Sequence, residues 1–214
     1  MSNCSTACII LNYNDAPTTM KLLEHIKDFS LLDSIVVVDN CSTDDSWDKL
    51  QCYRSEKIHL VKSEKNGGYG AGNNLGIVCA REWFNADYAL IANPDVIFDE
   101  ECVDKLVTTF REHSDVAVVS AKQSNSSDCA WKDCSVLQYI LATSLVFEVW
   151  LKIRNYPSQY FKNNDVVNVF AVPGSLLMVD VQKMLQYGMY DEDFFLYYEE
   201  FILGQKFSDV GKPV

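Results

Sequence analysis

Ser34-Ile35-Val36-Val37-Val38-Asp39-Asn40-Cys41-Ser42-Thr43-Asp44-Asp45 sets four apolar residues in a row, then a carboxylate, then a run of small polar residues. An apolar run without polar alternation reads as a strand buried on both faces, and a strand is buried in that way when helices cover both sides of a parallel sheet. The Ser42-Thr43-Asp44-Asp45 cluster then supplies an N-terminal cap for a following helix. Further strand candidates at 7–11, 58–62, 87–92 and 116–121 recur at regular intervals, with helix-like segments between them. Residues 17–29 are one such segment, placing Met20, Leu23 and Ile26 on one face at three-residue steps. The first 120 residues therefore predict an α/β fold with a mostly parallel sheet, in which functional residues gather where the strands exit. Three of those exits are polar: residues 12–14, Asp39-Asn40 and Asn93-Pro94-Asp95.

From residue 122 the rhythm changes. A Ser/Asn/Asp-rich stretch at 123–128 reads as a loop or subdomain boundary, followed by a nearly apolar segment at 136–153. That segment reads as a buried core helix or a subunit contact in a homodimer, with a surface for the membrane or a lipid-linked acceptor as the sharper alternative. A strand pair at 166–172 and 175–179 and an aromatic, acidic stretch at 190–201 complete the chain.

Composition narrows the function. The chain has 214 residues, 48% hydrophobic and 22% charged, which suits one globular domain with a sizeable core. A net charge of -12 without any run of lysine or arginine excludes nucleic acid as a partner. An acidic protein still binds an anionic nucleotide if a divalent cation or backbone N–H groups meet the phosphates. The eight cysteines include no CxxC pair and are expected to be reduced thiols, several of them buried. The opening MSNCSTACIILNYN lacks the basic start and long apolar core of a secretory signal, and the expected location is the cytoplasm.

Three features carry chemistry. Asp39 at a strand exit can accept hydrogen bonds from a nucleobase or a ribose hydroxyl, although a capping cluster would place the same residues there. Asn66-Gly67-Gly68-Tyr69-Gly70-Ala71-Gly72-Asn73-Asn74-Leu75-Gly76 holds five glycines in eleven positions and leads into an apolar helix. As a loop it would let backbone approach a ligand and leave N–H groups free at the helix N-terminus, though tight turns alone would also account for it. Its glycines do not fit GxGxxG, and that fingerprint would follow the first strand, so a dinucleotide-binding dehydrogenase is rejected. Asn93-Pro94-Asp95 aims one carboxylate beside a rigid proline, which suits a hard cation bridging a diphosphate. No GxSxG or P-loop is present, and His25, His59 and His113 show neither a nucleophile motif nor metal-ligand spacing.

Taken in order, CIILNYN, VVVDNCSTDDS, NGGYGAGNNLGI, LIANPDV, VPGSLLMV and DEDFFLYYEE resemble the family 2 glycosyltransferases of GT-A fold, in particular the bacterial rhamnosyltransferase-like branch. The likeness runs along nearly the whole chain. It implies a nucleotide-sugar-binding half at 1–121 and an acceptor-side, catalytic-base half of the same domain at 122–214. By the resemblance the donor site comprises Asn12, Asp39, Asn40, Asn66, Gly67, Gly68, Asn74, Asn93 and Asp95. Asp95 holds the divalent cation, Mg2+ or Mn2+, as the last acid of a DxD-type motif whose first place is taken by Asn93.

Glu199 and Glu200 match the family's acidic pair, with Glu200 as the general base where the family usually has aspartate. The activity implied is inverting transfer from dTDP-rhamnose or a UDP-sugar to a glycan or lipid-linked acceptor in bacterial surface polysaccharide synthesis, at the inner face of the plasma membrane. A sugar-nucleotide-binding protein of the same fold with impaired catalysis is the alternative implied by Asn93 and Glu200. A nucleotidyltransferase is disfavoured, because residues 12–19 contain no glycine, lysine or arginine. Members of the family continue past the equivalent of Val214 through a further strand and a histidine, so the second half is expected to be truncated at its C-terminal side.

Overall fold

The computed structural model describes residues 4–122, 130–133, 155–156, 158–162 and 165–212. Four strands, β1 (Thr6–Asn12), β2 (Ser34–Asp39), β3 (Ile58–Lys62) and β4 (Tyr88–Ala92), lie parallel. Beyond them β5 (Val118–Ser120) and β6 (Leu176–Asp180) complete a six-stranded sheet of order β3-β2-β1-β4-β6-β5, with β6 antiparallel to both neighbours. The second half of the chain thus contributes an interior strand to the sheet of the first.

Side-chain alternation divides the core into two layers. Cys8, Ile10, Ile35, Val37 and Leu90 face one side, where they meet α1 (Ala16–Ile26) and α4 (Glu100–Glu112). Ala7, Ile9, Val36, Val38 and Ile91 face the other, covered by α3 (Gly68–Phe84), α5 (Val181–Tyr187) and α6 (Glu199–Asp209). A short helix, α2 (Ser46–Leu50), follows the β2 exit and packs beside α1. Asp15 caps α1 by accepting from Thr18 N–H, and Asp99 caps α4 by accepting from Cys102 N–H.

Three local expectations are corrected. The pairing of 166–172 with 175–179 is absent: β6 has both edges taken by β4 and β5, while Ala171 makes only an isolated bridge to Trp131. The wholly buried Leu177, Met178 and Val179 demand an interior strand, whereas Val166 is exposed and Asn168 is polar. The helix expected at 17–29 stops at Ile26.

The glycine-rich segment is mostly helix, not loop, because α3 begins at Gly68. A methyl group at Gly72 would strike the Leu11 side chain, and one at Gly76 would strike Ile9 and Val38. Glycine costs about 1 kcal/mol against alanine in a helix, and here that cost lets α3 lie directly on β1 and β2.

The described cysteines are free thiols, with Cys8 and Cys79 buried. Burial pushes the Cys8 thiol up to about 12. Among the described residues no helix is long and apolar enough to cross a membrane. The expected loop at 123–128 lies outside the described residues, as does the apolar segment at 136–153 with its homodimer or membrane role.

Candidate functional site

Parallel register aligns three polar residues across the strand exits: Asn12 is opposite Asp39, and Asp39 is opposite Lys62. Asp39 is 1% exposed and Asn12 fully buried. Asn12 Nδ2 donates to Asp39 Oδ1 at 2.9 Å and to Ser42 Oγ at 3.2 Å, while its Oδ1 accepts from Thr19 Oγ1 at 2.9 Å. Ser42 N–H donates to Asp39 Oδ2 at 3.1 Å, and Lys62 Nζ lies 4.0 Å from the same oxygen. A carboxylate offers about four acceptor sites, so Asp39 is fixed in direction while keeping capacity for a ligand N–H or O–H.

Asn40 connects this row to α3. Its Nδ2 donates to Asn66 Oδ1 at 2.9 Å and to the Gly68 carbonyl at 3.0 Å. Its own Oδ1 is buried and has no partner among the described residues. Gly67 is the N-cap of α3 and offers no side chain. The free N–H groups expected there are partly taken: Gly68 N–H donates to Asn66 Oδ1 at 3.1 Å, and Tyr69 N–H donates to the Phe195 carbonyl at 3.0 Å. Gly68 has φ +89° and sits against that same carbonyl, a position that only glycine fills without strain.

Asn74 lies apart from this cluster. Its amide donates to the Tyr190 carbonyl and to Glu192 Oε1, both at 2.9 Å, and its Oδ1 accepts from Tyr190 N–H at 3.0 Å. This side chain, expected in the donor site, clamps 190–192 onto α3, because its position two turns into the helix faces that segment.

A cavity of about 430 Å3 opens beside the β4 exit. Asn93, Gly174 and Ser175 line one wall, and Glu199, Glu200 and Phe201 at the start of α6 line another. Asn93 N–H donates to the Ser175 carbonyl at 2.9 Å, which ties the β4 exit to the segment before β6 within the first wall. Glu200 Oε1 accepts from Gly174 N–H at 3.0 Å, and the Tyr69 hydroxyl donates to the Gly174 carbonyl at 2.6 Å. Glu199 is 3% exposed, and its Oε1 has no partner among the described residues. Burial first, and the neighbouring Glu200 charge second, hold the Glu199 carboxyl above the usual carboxylate range. Burial also raises the Tyr69 phenol, with Glu200 adding to the effect.

The stretch leading to α6 is strained and uncovered. Tyr197 and Tyr198 have φ of 74° and 69°, left-handed values uncommon for bulky residues. Residues 194–198 are all exposed, Tyr197 at 72%.

Asp95 is exposed on the turn after β4, outside the lining of the cavity. Among the described residues no group of three or more His, Cys, Asp or Glu could hold a metal. A single carboxylate still fits a hard cation whose remaining oxygen ligands come from a diphosphate and water.

Sequence reasoning missed Thr19, Ser42, Tyr69, Trp131 and Gly174. Ser42, Tyr69 and Gly174 stand within the quoted motifs, but their roles depend on folded neighbours: Ser42 turns back to Asn12, Tyr69 reaches the Gly174 carbonyl across 105 positions, and Gly174 meets Glu200 across 26. The three histidines are engaged with backbone or packing. His25 Nε2 lies 2.7 Å from the Phe98 carbonyl, His59 packs on Phe84, and His113 ends α4.

Comparison with known proteins places this geometry. The family model described as glycosyl transferase family 2 matches residues 7–181. The low-salt glycan biosynthesis hexosyltransferase Agl10 of Haloferax volcanii is 28% identical over 192 residues, covering 90% of this chain and 58% of that protein. Mannosyltransferase PcManGT from Pyrobaculum calidifontis, solved with GDP-Man and Mn2+, superposes with a TM-score of 0.66 at 16% identity, over 97% of this chain and 53% of its own. Glucosyl-3-phosphoglycerate synthase from Mycobacterium tuberculosis, with Mn2+, UDP and glucosyl-3-phosphoglycerate, gives 0.57 at 15% identity, over 97% of this chain and 67% of its own. The chain therefore spans 58% of the length of the curated relative. The structural likenesses carry the fold, a GT-A arrangement.

Proposed function

Because the chain belongs to glycosyl transferase family 2, we propose that it transfers a hexosyl or deoxyhexosyl group, with inversion, from a UDP- or dTDP-sugar such as dTDP-rhamnose to a glycan or lipid-linked acceptor. The observation that supports this best is the arrangement of one sheet edge. A buried, oriented Asp39 stands at the β2 exit, and a carboxylate pair faces a cavity at the β4 exit. Asp39 and Asn40 Oδ1, which has no partner among the described residues, offer acceptors to a nucleobase N–H and ribose hydroxyls. The Haloferax volcanii relative is a hexosyltransferase of glycan biosynthesis, which favours a role in surface polysaccharide assembly, carried out in the cytoplasm or at the inner membrane face.

In this reading an acceptor hydroxyl attacks the anomeric carbon from the cavity side. The new C–O bond forms as the bond to the diphosphate breaks, and the electron pair leaves with the nucleoside diphosphate. Glu200, oriented by Gly174 N–H, takes the hydroxyl proton. Asp95 would hold Mg2+ or Mn2+, which when bound supplies stabilisation of the leaving diphosphate. Direct displacement needs no covalent intermediate, so the anomeric configuration inverts.

A thermal-shift panel of UDP-, dTDP- and GDP-sugars with Mg2+ or Mn2+ tests the donor site. The matching donor, about a hundredfold above its Kd, raises Tm by roughly 5 °C or more. No shift from any of them would overturn the reading. Glu200→Gln keeps the shift and loses transfer. A donor-dependent shift with neither transfer nor donor hydrolysis by either the Glu or the Gln form would make the protein a sugar-nucleotide binder without turnover, and equal transfer by both would remove Glu200 as the base.

A further inference from the structure

The walls of the cavity beside β4 have a distinctive chemistry. Tyr69, Trp131, Tyr198 and Phe201 present aromatic rings, with Trp131 and Phe201 only 5.2 Å apart between centroids. Glu199 and Glu200 are the titratable acids among the described lining residues, and that lining includes no lysine, arginine or histidine. A phosphate entering here would face two carboxyl groups and no cation from the described walls. The C–H face of a pyranose ring, carrying slight positive charge, is instead a surface that aromatic walls attract. The volume of about 430 Å3 lies in the range of small-molecule pockets.

Glu199 supplies the second, independent observation. It is 97% buried, lines the cavity, and leaves Oε1 without a hydrogen bond among the described residues. A buried polar atom in that condition costs stability until something pairs with it. Glu200 differs, since Gly174 N–H already holds its Oε1 and its second oxygen is left for the acceptor proton.

We infer that this cavity takes a pyranose ring of an uncharged glycan as acceptor, that Glu199 fixes the ring through its hydroxyls, and that acceptors whose reacting oxygen belongs to a phosphate are turned away. This rests on the glycosyl-transfer reading above and names the acceptor class for it. Glu199 is a specificity residue, distinct from the proton-accepting Glu200. Its buried, unpaired Oε1 accepts from a sugar hydroxyl, and burial holds the carboxyl above the usual carboxylate range.

Saturation-transfer NMR on the purified chain, with UDP or dTDP and Mn2+ present, tests it. The probes are methyl glycosides of glucose, galactose, mannose and rhamnose, with citronellyl phosphate as the lipid-phosphate alternative. At least one glycoside receives saturation at its ring protons. Glu199→Ala weakens that binding about tenfold, the equivalent of one lost hydrogen bond, while Glu199→Gln, which still donates and accepts, stays within about twofold. Tyr198→Ala removes an exposed ring without touching the core and also weakens it. Binding of citronellyl phosphate in competition with the glycosides would overturn the inference, as would nucleotide binding without any glycoside binding. Failure of the nucleotides themselves would sink the donor reading, which makes the two failures distinguishable.

Discussion

Around Asp39 the polar side chains bond to one another, whereas around Glu199 the chain turns through two left-handed tyrosines and leaves a carboxyl oxygen unpaired among the described residues. The first region is a hydrogen-bond network on buried parallel strands, finished among the described residues except for the Asn40 Oδ1 that is left to a ligand. The second is a wall of exposed aromatics at the start of a helix with no side-chain cap. Such an asymmetry suits an enzyme whose nucleotide-binding edge is rigid and whose acceptor side stores unspent interactions until a ligand arrives. The two are mechanically joined, because Tyr69 on α3 holds the Gly174 carbonyl whose own N–H orients Glu200.

The largest expected effect breaks the finished side. Asp39→Ala removes the acceptor for both Asn12 Nδ2 and Ser42 N–H in a fully buried setting, at a cost of about 3 kcal/mol in urea unfolding. Nucleotide-dependent stabilisation disappears with it. Glu200→Ala, on the unfinished side, costs only about 1 kcal/mol, because a single half-buried hydrogen bond to Gly174 is lost. Equal losses from the two substitutions would abolish the contrast.

Next in size is Gly76→Ala. Alanine gains about 1 kcal/mol in helix propensity, yet its methyl meets Ile9 and Val38, which are wholly buried and stiff at χ1. Overpacking outweighs propensity, and the expected net loss is about 2 kcal/mol, measured by urea unfolding. An increase in stability would show that α3 has room to lift from the sheet, and the rigidity ascribed to the Asp39 side would fail.

That glycine also marks where sequence reading succeeds and where it stops. Val36-Val37-Val38-Asp39 was legible because burial on both faces of a parallel strand leaves an unbroken apolar run, and the strand exits followed from topology. Gly72 and Gly76 read as loop because composition reports only the missing side chain. Whether a glycine serves a turn or the close approach of a helix depends on what lies opposite, here Leu11 and Ile9. Asn74 misleads similarly, since its partners Tyr190 and Glu192 are more than a hundred positions away. Glu199 and Glu200 were visible as an acidic pair, but their division into an unpaired, buried acid and an oriented one depends on Gly174, which no local pattern predicts.

A smaller effect probes the strained side. Tyr197 is 72% exposed at φ 74°, and a left-handed conformation costs a non-glycine residue roughly 1–2 kcal/mol. Tyr197→Gly relieves that strain but enlarges the entropy of the unfolded chain, leaving a gain of about 0.5 kcal/mol. Chemical denaturation reads the sign. A loss would mean that the tyrosine contributes more through contacts than the backbone costs, and the wall would then be stable in its own right.

The smallest effect concerns pH. The folded Glu199 carboxyl titrates above its unfolded counterpart, so in the interval between the two values the native state holds a proton that the unfolded chain has released. Stability therefore falls as pH rises from the ordinary carboxylate range, near 4.5, through the raised folded value. Glu199→Gln removes this dependence. Its Tm should exceed that of the unsubstituted protein at pH 7 and approach it at pH 4, where both forms are neutral at this position. Tyr69, Tyr190 and Glu200 are the ionisable groups around Glu199, and the Glu200 charge is the one that raises it, so Glu200→Gln serves as the control. Removing the Glu200 charge lowers the folded Glu199 value and so flattens the same slope in part, while burial keeps the remainder. If Glu200→Gln flattened it completely, charge repulsion rather than burial would dominate at Glu199, and its carboxyl would be more open to water than its 3% exposure implies.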